Sequence, residues 1–204
     1  MKRYIVATNF EDNPKDWIFD RVHHYYMGKQ YSDPSEILSE IYDVQYSLLI
    51  QSKVPVELLS ELAKSSDAII QCAVLHNLSV TPDIIDYIVD NSDLDFVVNS
   101  RWPEQTIRRE IASHSKSSGY ALEQIVHTND DLVRVNVASH PNALPETLDY
   151  LADADDKYSN TYTKFEVIDN PNTSVDTLQK LSESSDEDIS DYAIQELKHR
   201  GITE

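Results

Sequence analysis

Apolar residues recur along this chain at the spacing of one helix face, in segments separated by short polar turns. Residues 75–90 (LHNLSVTPDIIDYIVD) lie over residues 138–153 (ASHPNALPETLDYLAD) without a gap, at an offset of 63 residues. Pro82 then meets Pro145, Asp86-Tyr87 meets Asp149-Tyr150, and Asp90 meets Asp153. Residues 168–183 (IDNPNTSVDTLQKLSE) form a third copy, 30 residues after the second, and 50–65 (IQSKVPVELLSELAKS) a fourth. Each copy opens on a turn, often with Pro or Asn. An apolar pair or single apolar residue follows, then another three positions on: Leu58-Leu59 with Leu62, Ile84-Ile85 with Ile88, Leu148 with Leu151, Leu178 with Leu181. That spacing predicts a helix with one buried face. Pro at a helix start costs nothing, because the first amides have no helical partner. Thr81 is the expected N-cap before Pro82.

A second kind of segment alternates with the first and opens on acidic residues. It appears as 65–77 (SSDAIIQCAVLHN), 92–101 (SDLDFVVNSR), 129–141 (NDDLVRVNVASHP) and 184–197 (SSDEDISDYAIQEL). Asp in a first turn complements the helix dipole. The apolar positions again fit a helix: Ile69, Ile70, Ala73 and Val74; Leu132, Val133, Val137 and Ala138; Ile189, Tyr192, Ala193 and Leu197. Around 103–128 two helix-like stretches follow one another with no acidic segment between them, so one copy there is truncated or reshaped.

The run DDLVRVNVASHPN followed by PETLDYLAD resembles the leucine-rich repeat variant family, whose units read D-x-x-V-R-x-x-V-A-x-N-P-N-T-P-x-x-L-x-x-L-A. The resemblance covers about residues 52–200 and is strongest over 130–182. It implies a right-handed superhelix of alternating α- and 3₁₀-helices. The chain departs from the pattern in two places: only Val133-Arg134 keeps the Val-Arg pair, and only Asn170-Pro171-Asn172 keeps Asn-Pro-Asn. Some family members carry an N-terminal cysteine-ligated iron–sulfur cluster. Cys72 is the single cysteine of this chain, so that feature does not carry over.

The expected architecture is therefore all-α: a right-handed α-solenoid of about five helix–turn–helix repeats over residues 34–204, with residues 1–33 as an N-terminal helical cap. Within that cap, RYIVAT (3–8) reads as a short strand or an extended arm, and DWIFDRVHHYYM (16–27) as an amphipathic helix. SDPSEILSEIYDVQYSLLIQ (32–51) reads as a long helix with Pro34 at its start. The polar final helix, 186–199, is the expected C-terminal cap, since an uncapped repeat leaves its apolar face open.

Composition narrows the chemistry. Three glycines in 204 residues cannot build a P-loop or dinucleotide fingerprint, and no zinc-protease, nucleophile-elbow or EF-hand motif is present. The acidic runs Asp153, Asp155, Asp156 and Asp186, Glu187, Asp188 lack the alternating ligand spacing and sharp turn that calcium needs. His23-His24 are adjacent and diverge around a helix, so they do not converge on a metal. Cys72 and His76 are four residues apart and neighbour each other on a helix; a buried, inert thiol is the plainer reading. These absences point to a protein without metal, cofactor or catalytic residues, one that binds rather than catalyses. A single cysteine, no apolar leader and no run long enough to span a bilayer lead to the expectation of a cytoplasmic protein.

Charge adds the last element. The net charge is −19, from 36 acids and 17 bases. Residues 65–100 hold 6 acids and no base, residues 101–144 are neutral, and residues 145–204 hold 15 acids against 5 bases. Such a surface repels nucleic-acid phosphates and anionic membranes and attracts a basic protein surface. Asp83, Asp86 and Asp90, with their counterparts Glu146, Asp149 and Asp153, are expected to form carboxylate stripes. With Asp155 and Asp156 they are the candidate partner-binding acids, and Trp102, Tyr158 and Tyr162 the candidate aromatic anchors. Arg108-Arg109 are expected to pair within the chain. Two functions fit: a protein-interaction scaffold or adaptor, and an acidic nucleic-acid mimic that inhibits a basic nucleic-acid-binding enzyme, as phage anti-defence proteins do. A merely solvated acidic face also remains open.

Overall fold

The computed structural model describes Val54 and residues 56–99, 102–153 and 161–202. The expected cap at residues 1–33, and the domain boundary drawn there, lie outside these residues. So do Asp155, Asp156 and Tyr158. The described chain is helical, with one short ribbon. In order it runs α1 (Val56–Leu62), α2 (Ala68–Leu75), α3 (Pro82–Asn91), β1 (Val97–Asn99), β2 (Trp102–Thr106), α4 (Ile107–Ser113), α5 (Gly119–Ile125), α6 (Asp131–Ser139), α7 (Pro145–Asp153), α8 (Thr161–Asp169), α9 (Val175–Ser182) and α10 (Glu187–His199). It divides into two compact units, with the break between Ile107 and Arg108.

One turn occurs four times, at Asn77, His114, His140 and Asn170. In each, the N–H three residues on (Val80, Ser117, Ala143, Thr173) donates to that residue's carbonyl at 2.9–3.0 Å. The side chain accepts from the N–H two residues on (Ser79, Lys116, Asn142, Asn172) at 2.9–3.1 Å. Asn and His each offer a side-chain acceptor at the right reach, which explains why these two types share the position. A helix begins five residues on, at Pro82, Gly119, Pro145 and Val175. The apolar pattern keeps step. Three residues before the turn stand Val74, Ile111, Val137 and Val167; eight after it stand Ile85, Leu122, Leu148 and Leu178, all fully buried. The stretch 103–128 thus contains a complete helix–turn–helix.

The acidic segments also share a local device. Ser65, Thr128 and Ser184 each accept the N–H of the Asp two residues on, Asp67, Asp130 and Asp186. Asp130 and Asp186 in turn cap α6 and α10, accepting the N–H groups of Leu132 and Val133, and of Asp188 and Ile189. Thr81 stands at the N-cap of α3 but makes no side-chain bond to it.

Residues 92–101 depart from the helical expectation. Asp93 accepts the Asp95 N–H in a turn. Val97–Asn99 then pairs antiparallel with Trp102–Thr106, with Val97 opposite Thr106 and Asn99 opposite Trp102. The β-branched pair Val97-Val98 favours a strand, and Pro103 biases the residue before it, Trp102, toward extended backbone. The first of the two helix-like stretches of 103–128 accordingly starts only at Ile107.

In the second unit, α6 packs on α8 and α8 on α10, while α7 packs on α6, α8 and α9, and α9 on α10. Helices that precede turns therefore lie side by side, as do α7 and α9 that follow them. The turns themselves are joined by side chains. His140 Nε2 lies 3.1 Å from the His114 carbonyl, and Asn142 donates to the Ser117 carbonyl at 2.9 Å. Asn170 donates to the carbonyls of Ala138 and His140, and Asn172 to those of Pro141 and Ala143. Arg200 ends the series, donating to the Thr173 and Asn170 carbonyls at 2.7 and 2.9 Å. Its position is held by Glu196 at 2.7 Å and by the left-handed Gly201 (φ 75°), which closes α10 with Ile202 N–H on the Leu197 carbonyl.

Candidate protein-interaction face

The structure sorts the acids singled out by sequence into two groups. Asp83, Asp86 and Asp90 share one face of α3, with Asp83 and Asp90 exposed. Glu146, Asp149 and Asp153 share the matching face of α7. Asp149, however, accepts from the Thr177 hydroxyl, and Asp153 pairs with Lys180, both on α9. Two carboxylates of this stripe thus tie one helix to the next. The Asp153–Lys180 pair is solvent-exposed and contributes little to stability. The arginines at the start of the second unit are also committed inside the chain. Arg109 grips Asp130 through two bonds, at 2.5 and 3.0 Å, and Arg108 donates to the Ile125 carbonyl at 3.1 Å. Trp102 lies in β2.

The opposite layer carries the feature that the sequence reading missed. On α8, Tyr162, Phe165, Glu166 and Asp169 stand three, one and three residues apart, so they form one stripe. The other stripe, Thr163, Val167 and Ile168, is buried. The equivalent positions of α6 are Leu132, Val135, Asn136 and Ser139, and those of α10 are Asp188, Asp191, Tyr192 and Gln195. Leu132 is 49% exposed and Tyr162 69% exposed. Across the α8–α10 seam, Phe165 and Tyr192 meet edge to face, with ring centroids 5.4 Å apart. The Tyr192 hydroxyl donates to Asp169 at 2.5 Å. That bond, then partial burial, then the charges of Asp169, Glu196 and Glu166 push the Tyr192 phenol up to about 12. The phenol stays protonated, and the carboxylate stays where the rings meet.

These twelve outward positions hold four carboxylates, three aromatic rings and no Lys or Arg. Of the sequence-predicted anchors Tyr162 belongs here, Trp102 lies in β2, and Tyr158 is outside the described residues. Phe165 and Tyr192 are 27 residues apart in sequence, and only the packing of α8 on α10 brings them together. The available signal was the shared register of residues 132, 162 and 188, eight before each turn or its α10 counterpart.

Two arrangements singled out by the sequence chemistry can be placed among the described residues. Among those residues no three His, Cys, Asp or Glu side chains gather closely enough to hold a metal ion. Cys72 Sγ lies 3.8 Å from His76 Nδ1, but the thiol is wholly buried. No described helix is long and apolar enough to cross a membrane. No family model, curated protein or solved structure matches the chain.

Proposed function

We propose that this chain is a non-enzymatic protein-interaction scaffold or adaptor, built as a short α-solenoid of the leucine-rich repeat variant type. The observation that carries the reading is the outward face of α6, α8 and α10. Leu132 and Tyr162 occupy equivalent, exposed positions on neighbouring helices, beside the Phe165–Tyr192 pair. Exposed rings and aliphatic groups clustered inside a polar rim are the usual make-up of an interface core. The four shared turns and the side-by-side packing of successive helices support the solenoid assignment, because both follow from stacking equivalent units. The partner is another protein with a basic surface, since the chain carries net charge −19.

A second reading is favoured by the distribution of that charge. Residues 145–204 carry 15 acids against 5 bases, which suits an acidic mimic of nucleic acid that inhibits a basic nucleic-acid-binding enzyme. The engagement of Asp149 and Asp153 by α9 weighs against it, because it withdraws part of the stripe such a mimic needs.

Affinity capture with the full chain, washed in parallel at low and high salt, separates the two. A scaffold keeps its partner at high salt and loses it on Tyr162→Ala. A mimic releases a nucleic-acid-binding protein as salt rises, because many exposed charge pairs are screened together. It also loses that protein when Asp153, Asp155 and Asp156 are changed to Asn. Retention of nothing at either salt counts against both.

A further inference from the structure

From the outward face of α6, α8 and α10 we propose that its occupant is an extended, arginine-bearing segment of the partner protein. This rests on the scaffold reading and names the chemistry of its site.

The face is not an acidic patch alone. Its positions hold the carboxylates Glu166, Asp169, Asp188 and Asp191 together with the rings Tyr162, Phe165 and Tyr192, and none of the twelve is Lys or Arg. A guanidinium satisfies both components at once. Its plane stacks on an aromatic ring, and its fork of N–H donors pairs with a carboxylate in two bonds. An ammonium, more strongly hydrated and without a flat face, gains less from the same surroundings. Tyr162, 69% exposed and one turn before Phe165, is the ring most open to such stacking.

An extended segment fits better than a folded domain of unrelated shape. The outward stripes of α6, α8 and α10 come from helices packed in sequence, so equivalent side chains repeat at the interhelical spacing of roughly 8–10 Å. A peptide crossing these helices advances about 3.3 Å per residue, so every third side chain meets a new helix. The face of α6, with Leu132 and Val135 and no acid at the equivalent positions, takes an apolar residue at one end of the segment. The occupant is thus basic over α8 and α10 and apolar over α6.

In the first unit the middle of the same register is closed, while His76, in the place of Asp169, is exposed. Cys72 and Ala73 of α2 stand where Phe165 and Glu166 stand on α8, and both are wholly buried. The site is confined to the second unit.

Titration of the full chain with an oligo-arginine peptide and an oligo-lysine peptide of equal length, at about 150 mM salt to suppress exposed ion pairing, tests the proposal. The arginine peptide is expected to bind several-fold more tightly. Tyr162→Ala is expected to weaken it about tenfold, a loss in the range of an interface aromatic. Tyr162 is exposed, so thermal unfolding of that variant should match the parent and exclude misfolding as the cause. Glu123→Gln, at an exposed position of α5, is expected to leave binding unchanged. Equal affinity for the two peptides overturns the proposal, as does a Tyr162→Ala variant that binds normally. Failure with both peptides overturns it too. The scaffold reading is then judged separately, by whether a captured partner survives the high-salt wash.

Discussion

Helices α2 and α8 occupy the same place, each leading into one of the shared turns, yet they treat their outer stripes in opposite ways. In α2 every position from Ile70 to Leu75 is buried, Gln71 included, and Gln71 donates to the Ala63 carbonyl at 3.3 Å. In α8 the inner stripe is buried and the outer one carries Tyr162, Phe165, Glu166 and Asp169. The difference lies in side-chain chemistry. A helix that is apolar all round gains by being covered, whereas rings interleaved with carboxylates are stable in water until a partner arrives. An open face is therefore marked by its mixture of aromatic and acidic residues more than by apolarity.

Exchanging the two characters gives the largest effect. Ala73→Glu puts the α8 residue into the closed register, where an unpaired carboxylate is buried. A loss of more than about 3 kcal/mol is expected, while Glu166→Ala should change stability by less than about 0.5 kcal/mol. Equal losses in chemical denaturation would remove the distinction between the helices. Next comes the turn that follows α8. Asn170→Ala deletes the donor to the Ala138 and His140 carbonyls and the acceptor for the Asn172 N–H, at a buried site. The expected cost is about 3 kcal/mol, and a midpoint unchanged in urea would contradict the role given to these bonds. Arg200→Ala should cost less, about 2 kcal/mol, because water reaches part of what the guanidinium leaves. Thermal unfolding would measure it, and Arg200→Lys should recover only a fraction.

The smallest expected effect is spectroscopic. Phenolate absorbance should show one tyrosine ionising near 12, and Tyr192→Phe should remove it. Asp169→Asn should bring that ionisation down toward the ordinary tyrosine value, because the hydrogen bond to a carboxylate, and with it the Asp169 charge, is gone. The folded pKa lies above the unfolded one. The stability from this bond is therefore fully present below the ordinary tyrosine pKa of about 10 and is lost as pH climbs toward the folded value. A titration unaffected by Asp169→Asn would detach the carboxylate from the ring pair.

Much of the helical framework was legible in the sequence. The copies at 75–90, 138–153 and 168–183 were read from Pro82, Pro145 and the Asn-Pro-Asn run, and their turns superimpose bond for bond. The hairpin around His114 was obscured by two substitutions: His stands for Asn at the turn, and Gly119 for Pro at the next helix start. Gly119 has a packing reason that no single segment reveals. A Cβ there would come within 2.6 Å of the Leu144 side chain and 3.0 Å of the Asn142 carbonyl. The ribbon was missed because Asp93 and Asp95 imitate a helix opening, while Val97, Val98 and Pro103 act against it. At the candidate site, Tyr162 was found by its aromaticity. Phe165, Tyr192 and Asp169 were not, because their meeting depends on how two helices pack, which sequence periodicity does not encode.

The chain of bonds among the turns runs one way. In the second unit each turn's carbonyls are served from later in the sequence: Ser117 by Asn142, Ala143 by Asn172, Thr173 by Arg200. The second unit therefore has a grammar for lengthening. A hairpin inserted ahead of α10 must bring its own Asn-x-Asn to serve the turn before it, and must leave Arg200 a fresh pair of carbonyls to close. An insert lacking that pair of amides would interrupt the series at its own boundary, however good its helices.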